Sequence, residues 1–128
     1  MQVERFGAGP EVYLGLHGWG GDHRMFAPIA AQLPASASLY SADLPGCGQS
    51  PAPKDWEVVT IVDEISAVIQ TIGADRLTLI GNCSGANLAL LVAKKLGSRI
   101  GRLVLIDMFA FMPRYFRLFT NKSYGRYA

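Results

Sequence analysis

The stretch Gly81-Asn82-Cys83-Ser84-Gly85 decides the fold of this chain of 128 residues. It follows the apolar run Leu77–Ile80 and precedes the mostly apolar segment Ala86–Ala93. This order predicts a β-strand, a sharp turn and an α-helix. The turn carries a nucleophilic side chain, that of Cys83, and the residues two positions away on either side are glycines. Small residues are needed there because the backbone of such a turn packs closely on itself.

The helix predicted after Cys83 supports its chemistry. The first N–H groups of a helix point toward the residue that precedes it and stabilise negative charge there. We therefore expect the Cys83 thiol to be partly ionised and nucleophilic. The alternative is a small, buried and inert cysteine, but the flanking glycines favour the nucleophile.

Ser84 is a rival nucleophile in the same stretch. Its neighbours two residues away are Asn82 and Ala86, and Asn82 is larger than the glycine that the turn favours. A backbone N–H directly after the nucleophile is well placed to bind a negatively charged oxygen. We therefore expect Ser84 to act through its backbone N–H.

Strands and helices alternate along the rest of the chain. Strands are predicted at about 11–16, 38–42, 76–80 and 102–106, with a weaker one at 2–6. Apolar residues at helical spacing predict helices at about 25–33, 58–72 and 84–96. Pro34, Gly73 and Gly97 are expected to end them. The last helix is apolar nearly all round, so we expect it to be buried.

Composition and charge narrow the class of protein. Half of the residues are hydrophobic and 17% are charged, which is typical of a globular protein with a sizeable core. The formal net charge of +2 is too small to indicate a nucleic-acid partner. Cys47 and Cys83 alone make no disulfide framework, and no apolar run is as long as a membrane span. With no signal-peptide pattern at the start, we expect a reduced, cytoplasmic protein.

Three motifs in this order resemble the N-terminal half of an α/β-hydrolase. Residues 17–21 (His-Gly-Trp-Gly-Gly) are similar to the family's oxyanion loop, and residues 81–85 to its nucleophile elbow, although Ser is usual at the centre. Between them, residues 43–50 (Asp-Leu-Pro-Gly-Cys-Gly-Gln-Ser) match the family pattern Asp-Leu-Pro-Gly-x-Gly-x-Ser. The resemblance covers nearly all of residues 10–110. The His-Gly-Trp-Gly sequence is shared with small esterases that resemble pimeloyl-acyl-carrier-protein methyl esterase.

The resemblance implies an α/β fold, a three-layer sandwich around a mostly parallel, doubly wound sheet. The chain would supply strands three to six of that fold in the spatial order 4-3-5-6. Residues 1–107 would form this partial core, and residues 108–128 would begin a lid. The order reverses between the strands at 11–16 and 76–80, and ligands bind at such a switch point.

The resemblance also implies roles for single residues. Cys83 would be the nucleophile, and the backbone N–H groups of Trp19 and Ser84 would bind the oxyanion. Gly18 and His17 would line the substrate site, with His17 supporting the loop and not acting as the base. Asp107, at the end of the last strand, is a candidate for the acid of a triad, although a turn or capping aspartate is the simpler interpretation. No cofactor and no metal are expected.

Two residues near these motifs receive simpler interpretations. Asp43 ends a strand and is expected to order the turn that follows. His23 lies near a helix start and is expected to be a solvated surface residue. Neither is assigned a step of the reaction.

Function is expected to be hydrolysis or acyl transfer on a small-molecule ester or thioester. An elbow with cysteine at its centre, as predicted at Cys83, resembles the elbows of dienelactone hydrolases and polyhydroxyalkanoate synthases. This resemblance favours a thioester or lactone as the substrate. The family's base is a His after the last strand, whereas this sequence stops after the sixth strand and has only two histidines. We therefore expect an incomplete enzyme that is inactive alone. The alternative is a non-catalytic interaction module or pseudoenzyme half, which pairs with another chain along the edge of the sheet.

The last segment differs from the rest in charge. Residues 1–107 hold eight basic and ten acidic residues, whereas residues 108–128 hold four basic and no acidic ones. The segment is also aromatic and apolar, with Phe109, Phe111, Met112, Tyr115, Phe116 and Phe119. We expect a lid over the site. The alternative is an amphipathic helix at a membrane surface.

Overall fold

Five strands form one mixed sheet in residues 1–109, which are the residues that the computed structural model describes. The strands are β1 (Val3–Gly7), β2 (Glu11–Leu16), β3 (Ala37–Ala42), β4 (Leu77–Asn82) and β5 (Ile100–Ile106). The α-helices are α1 (Ala27–Ala30), α2 (Val58–Ile72) and α3 (Ser84–Leu96). Short 3-10 helices cover His23–Phe26 and Gly97–Arg99. The lid, and the alternative membrane-surface helix, predicted over residues 108–128 lie outside the described residues except for the first two positions.

The order of strands across the sheet is β1-β3-β2-β4-β5. Strand β1 is antiparallel to β3, and the remaining pairs are parallel. The weak first strand is therefore real, and the predicted order of the other four is confirmed. All parallel strands end at one edge of the sheet, so the loops after β2, β3 and β4 meet there.

Apolar side chains cover both faces of the sheet and make three layers. On one face, α2 and α3 pack on a core that includes Leu14, Leu79 and Ile65, all fully buried. On the other face, a smaller cluster joins Phe26, Leu39 and Ile80. The predicted three-layer sandwich is confirmed. The alternation of the pleat explains why Leu79 and Ile80 face different cores.

Helix α2 matches its sequence pattern closely, and α3 differs in one respect. Gly73 ends α2 with φ of 74°, a left-handed conformation that glycine adopts without strain. In α3, Leu90 and Leu91 are 45% and 41% exposed, so the expectation of a fully buried helix is wrong. A helix that is apolar nearly all round shows little preference for one face in its sequence, and α3 contacts β4 and β5 most extensively. Among the described helices none has both the length and the apolar character needed to cross a membrane.

The helix expected over residues 25–33 is shorter than predicted. The chain forms a 3-10 turn at His23–Phe26 and then a single α-helical turn, α1. The side chain of Asp22 accepts a hydrogen bond from the Arg24 N–H and so begins the 3-10 turn early. Pro28 occupies the first turn of α1, where its missing N–H costs nothing.

Candidate active site

The nucleophile elbow is formed by Cys83, which alone separates β4 from α3. Its φ and ψ angles are 52° and −118°, a backbone conformation that residues other than glycine rarely adopt. Strain of this kind costs on the order of 1–3 kcal/mol and persists only where the surroundings enforce it. One such restraint is the Cys83 N–H, which donates to the carbonyl of Ile106 in β5 at 2.9 Å. The side chain of Cys83 is partly exposed at the carboxyl edge of the sheet.

The two glycines of the elbow leave no room for a side chain. A Cβ on Gly81 would lie 2.5 Å from the Cα of Ala86. A Cβ on Gly85 would lie 2.3 Å from the carbonyl oxygens of both Leu16 and His17. The start of α3 therefore presses directly on β4 and on the end of β2, as the spacing of the glycines suggests.

The loop after β2 lies against the elbow. A Cβ on Gly18 would approach the Cβ of Cys83 to 3.0 Å, so the backbone of the loop touches the nucleophile residue. The loop is closed by a hydrogen bond of 3.1 Å from the Gly21 N–H to the Gly18 carbonyl. The side chain of Trp19 is 80% exposed, so it does not serve to pack the loop. The backbone of Gly18 thus lies close to Cys83, and Trp19 is the next residue of the loop.

The side chain of His17 is fully buried, and both ring nitrogens are engaged. Its Nε2 accepts from the Leu44 N–H at 3.0 Å. Its Nδ1 lies 2.7 Å from the Gly18 carbonyl, which can only accept, so Nδ1 carries the proton. This ring is neutral and has no free lone pair for Cys83. The predicted supporting role of His17 fits these contacts, whereas direct contact of its side chain with substrate does not.

Asp43 is a buried carboxylate that organises the loop after β3. One oxygen accepts from the His23 N–H at 2.6 Å and from the His23 Nδ1 at 2.9 Å. The other accepts from the Gln49 N–H at 2.8 Å, which agrees with the predicted role in ordering the turn. Burial alone would raise the pKa of Asp43, but the hydrogen bonds from Gln49 and His23 outweigh it, and the pKa is lowered.

His23 is not the solvated surface residue that we expected. Its side chain is only 19% exposed, and its ring pairs with the buried carboxylate of Asp43. The pairing follows from the fold, because the loop after β2 turns back over the end of β3. Both histidines of the sequence, His17 and His23, are therefore hydrogen-bonded to residues other than Cys83.

Asp22, His23 and Asp43 also bring three potential metal-ligand atoms within 4.8 Å of one another. Each carboxylate already has donors, since Asp43 accepts from His23 and Gln49, and Asp22 accepts from Arg24. The hydrogen bonds from Arg24 lower the pKa of Asp22 to about 2. The arrangement is that of a hydrogen-bonded network.

Asp107 lies at the same edge of the sheet as Cys83. It follows Ile106, whose carbonyl accepts from the Cys83 N–H, and it is exposed with φ of 55°. Within the described residues, the two histidine rings bond to Gly18, Leu44 and Asp43, not to Asp107. Its assignment as a triad acid stays a prediction.

Sequence reasoning missed the bond between His17 and Leu44 and the pair of His23 with Asp43. These partners are 27 and 20 residues apart. A signal was available, because His17 and Asp43 each directly follow a strand and the two strands are neighbours. This placement brings the loops after β2 and β3 side by side, although it does not identify which residues bond to each other.

The sheet and the elbow together define a doubly wound α/β protein with a strained cysteine, Cys83, at its switch point. The protein-family model described as alpha/beta hydrolase fold matches residues 14–127 of this chain. The chain therefore belongs to the α/β-hydrolase family, as the three motifs suggest.

Individual relatives agree with this assignment. The chain is 33% identical over 100 residues to the pimeloyl-[acyl-carrier protein] methyl ester esterase of Neisseria meningitidis serogroup C, covering 78% of this chain and 37% of that protein. It is 32% identical over 108 residues to the AB hydrolase superfamily protein YisY of Bacillus subtilis, covering 82% and 40%. Among solved structures, the putative non-heme bromoperoxidase BpoC of Mycobacterium tuberculosis H37Rv superposes with a TM-score of 0.80 at 23% identity, covering 95% and 46%. The chain thus spans less than half the length of each of these proteins.

Proposed function

We propose that this chain carries the nucleophile and the oxyanion site of an esterase-like hydrolase or acyltransferase. One observation supports the proposal most strongly. Cys83, in a strained conformation at the N-terminus of α3, lies in contact with the Gly18 backbone. A strained nucleophile beside a loop of backbone donors is the arrangement that acyl transfer needs.

The reaction would begin with attack of the Cys83 thiolate on the carbonyl carbon of an ester or thioester. A carbon–sulfur bond forms, and the carbonyl electrons move onto oxygen. The N–H groups of Trp19 and Ser84 would donate to that oxyanion. Collapse of the intermediate breaks the bond to the alcohol or thiol, which leaves with a proton from solvent, and the acyl group stays on Cys83. Water or another acceptor would then release it.

Release of the acyl group needs a general base, and within the described residues neither histidine ring is hydrogen-bonded to Cys83. His17 has both nitrogens bonded to the backbone, and the His23 ring is held by Asp43. We therefore infer that the 128-residue chain acylates once and turns over slowly at best. The substrate class is a small ester or thioester, consistent with the esterase name of the relatives.

A burst assay with p-nitrophenyl acetate tests this proposal. We expect release of nitrophenol equal to the amount of folded chain, followed by little turnover. Cys83→Ala should abolish the burst, whereas Ser84→Ala should keep it because Ser84 acts through its backbone. A Cys47→Ser variant provides the background in which only one thiol remains. Loss of the burst in Ser84→Ala alone would contradict our choice of nucleophile.

A second candidate function is favoured by the edge of the sheet. Among the described strands, β5 pairs with β4 alone, so its other edge is open. The side chains of Val104 and Ile106 on this strand are each 42% exposed. An open edge with apolar side chains can pair with another chain. Size-exclusion chromatography discriminates: a stable dimer without an acyl burst would favour an interaction module over an acylating site.

A further inference from the structure

A groove lies at the amino edge of the sheet, at the opposite end of the parallel strands from Cys83. It has a volume of about 380 Å³, and its lining residues lie at the starts of β2, β4 and β5. Strand β4 begins at this edge and ends next to Cys83, so about 20 Å separate the groove from the thiol. Small-molecule sites have volumes of this order. The groove is therefore distinct from the candidate active site.

Two arginines, Arg76 and Arg102, line this groove. They are brought together by Gly101, since a Cβ on this glycine would lie 3.3 Å from the Nε of Arg76 and 3.6 Å from its Cβ. The Arg76 side chain thus lies against the bare backbone that directly precedes Arg102. Gly101 is the extra residue of a register shift, because Ile100 and Arg102 on either side of it pair with consecutive residues of β4. Strand β5 therefore leaves space for one arginine beside the other.

The charges of these two arginines are not neutralised within residues 1–109. No ion pair joins either guanidinium to a carboxylate of this described part of the chain. Among the described residues that line the groove, only Glu11 is acidic. Its two carboxylate oxygens accept from the Ser36 hydroxyl at 3.0 Å and from the Tyr13 hydroxyl at 3.5 Å. The groove therefore has a positive end at β4 and β5 and a carboxylate at β2.

We propose that the arginine end of this groove binds the phosphate group of a small molecule. A guanidinium carries five N–H donors in a planar fork, and two guanidiniums match the charge of nearly −2 and the three free oxygens of a phosphate monoester. The Thr78 hydroxyl adds a donor, because Thr78 lines the groove and pairs with Arg102, so that both side chains point to one face of the sheet. A carboxylate, with one charge and two oxygens, would use only part of this set. The proposal does not depend on acyl transfer at Cys83.

Titration of the full chain with inorganic phosphate and with methyl phosphate tests the proposal. NMR follows the Nε–H signals of the arginines, and we expect those of Arg76 and Arg102 to shift along one saturating curve. Arg76→Gln and Arg102→Gln should each weaken binding about tenfold, because each removes a charged hydrogen-bond donor. Arg5→Gln is the matched control, since it makes the same change in charge on β1, where Arg5 lies over the ring of Tyr40. It should change binding by less than about twofold, because salt screens a remote exposed charge.

Gly101→Val tests the geometry without a change in charge. The valine side chain would take the space in which the Arg76 side chain lies, so Arg76 must move away from Arg102. We expect phosphate binding to weaken about three- to tenfold, since one charged donor is displaced. Circular dichroism checks that each variant is folded. If Gly101→Val does not fold, the two arginine variants decide, because they change only exposed side chains.

Equal weakening of phosphate binding by Arg5→Gln would overturn the proposal, because phosphate would then respond only to net charge. Signals that shift without saturating would overturn it as well, since they indicate no defined site. Binding of inorganic phosphate without any binding of methyl phosphate would contradict a small-molecule ligand. Saturable binding of both probes, lost on replacing either groove arginine and kept in Arg5→Gln, would support the site.

Discussion

Replacing Gly85 by Ala separates two opposing effects whose sizes can be compared. Alanine favours a helix over glycine by at most about 1 kcal/mol, so helix propensity alone predicts a gain in stability. The added Cβ would, however, lie 2.3 Å from two main-chain oxygens, those of Leu16 and His17, whereas ordinary contact begins at 3.4 Å. Neither oxygen can swing away as a side chain can. Overpacking costs about 1–3 kcal/mol, and the upper end applies here.

We therefore expect Gly85→Ala to lower the free energy of unfolding by about 2 kcal/mol. Urea denaturation followed by circular dichroism measures this loss. Gly97→Ala is the matched control, because its φ of 55° is strained for alanine but no atom lies within 4 Å of the new Cβ. It should cost about 1–2 kcal/mol from strain alone and leave the acyl burst intact. Gly85→Ala should also reduce the burst per folded molecule, because β2 and the elbow would be pushed apart. A Gly85→Ala chain as stable as the wild type would refute the packing argument.

Three further outcomes are expected. Iodoacetamide should label Cys83 faster than Cys47 below neutral pH. Burial raises the pKa of the Cys47 thiol, and the Asp43 carboxylate adds to this rise. Peptide mass spectrometry measures both labelling rates, and equal rates at the two cysteines would argue against an activated thiol at Cys83. Asp43→Asn should lower the free energy of unfolding at neutral pH by about 1–3 kcal/mol, because the Asn amide group cannot accept from all the donors that Asp43 satisfies. The lowered pKa of Asp43 means that its charge stabilises the fold above the usual carboxyl range and ceases to do so as the pH falls through its folded pKa. The difference between Asp43→Asn and wild type in urea titrations should therefore shrink as the pH falls below the usual carboxyl range, and a constant difference would contradict the linkage. If the edge of β5 mediates self-association, Ile106→Lys should shift the chain to monomer in size-exclusion chromatography, and an unchanged elution volume would place the contact elsewhere.

The elbow was predictable because local sequence determines it. A strand, a nucleophile between glycines and a helix specify the turn at Cys83 without knowledge of distant residues. The parallel order followed from the alternation of strands and helices together with the family resemblance.

The remainder depends on contacts between residues that are far apart in the sequence. The pairing of His23 with Asp43 exists only because two loops meet at the ends of β2 and β3. The 3-10 turn that replaces the start of the helix expected over residues 25–33 is, in contrast, a local effect, because the Asp22 side chain accepts from the Arg24 N–H two residues away. The exposure of Leu90 could not be predicted, since a helix with apolar residues on every side does not reveal which side meets the sheet.

The hydrogen bond from the Cys83 N–H to the Ile106 carbonyl joins the elbow to the outermost described strand, β5. By thermodynamic reciprocity, if a partner chain binds along β5 more tightly when Cys83 is acylated, then binding of the partner must favour acylation of Cys83 by the same factor. Association along β5 and acylation of Cys83 would then be thermodynamically coupled. The coupling could be measured either as the change in association on acylation or as the change in acylation on association.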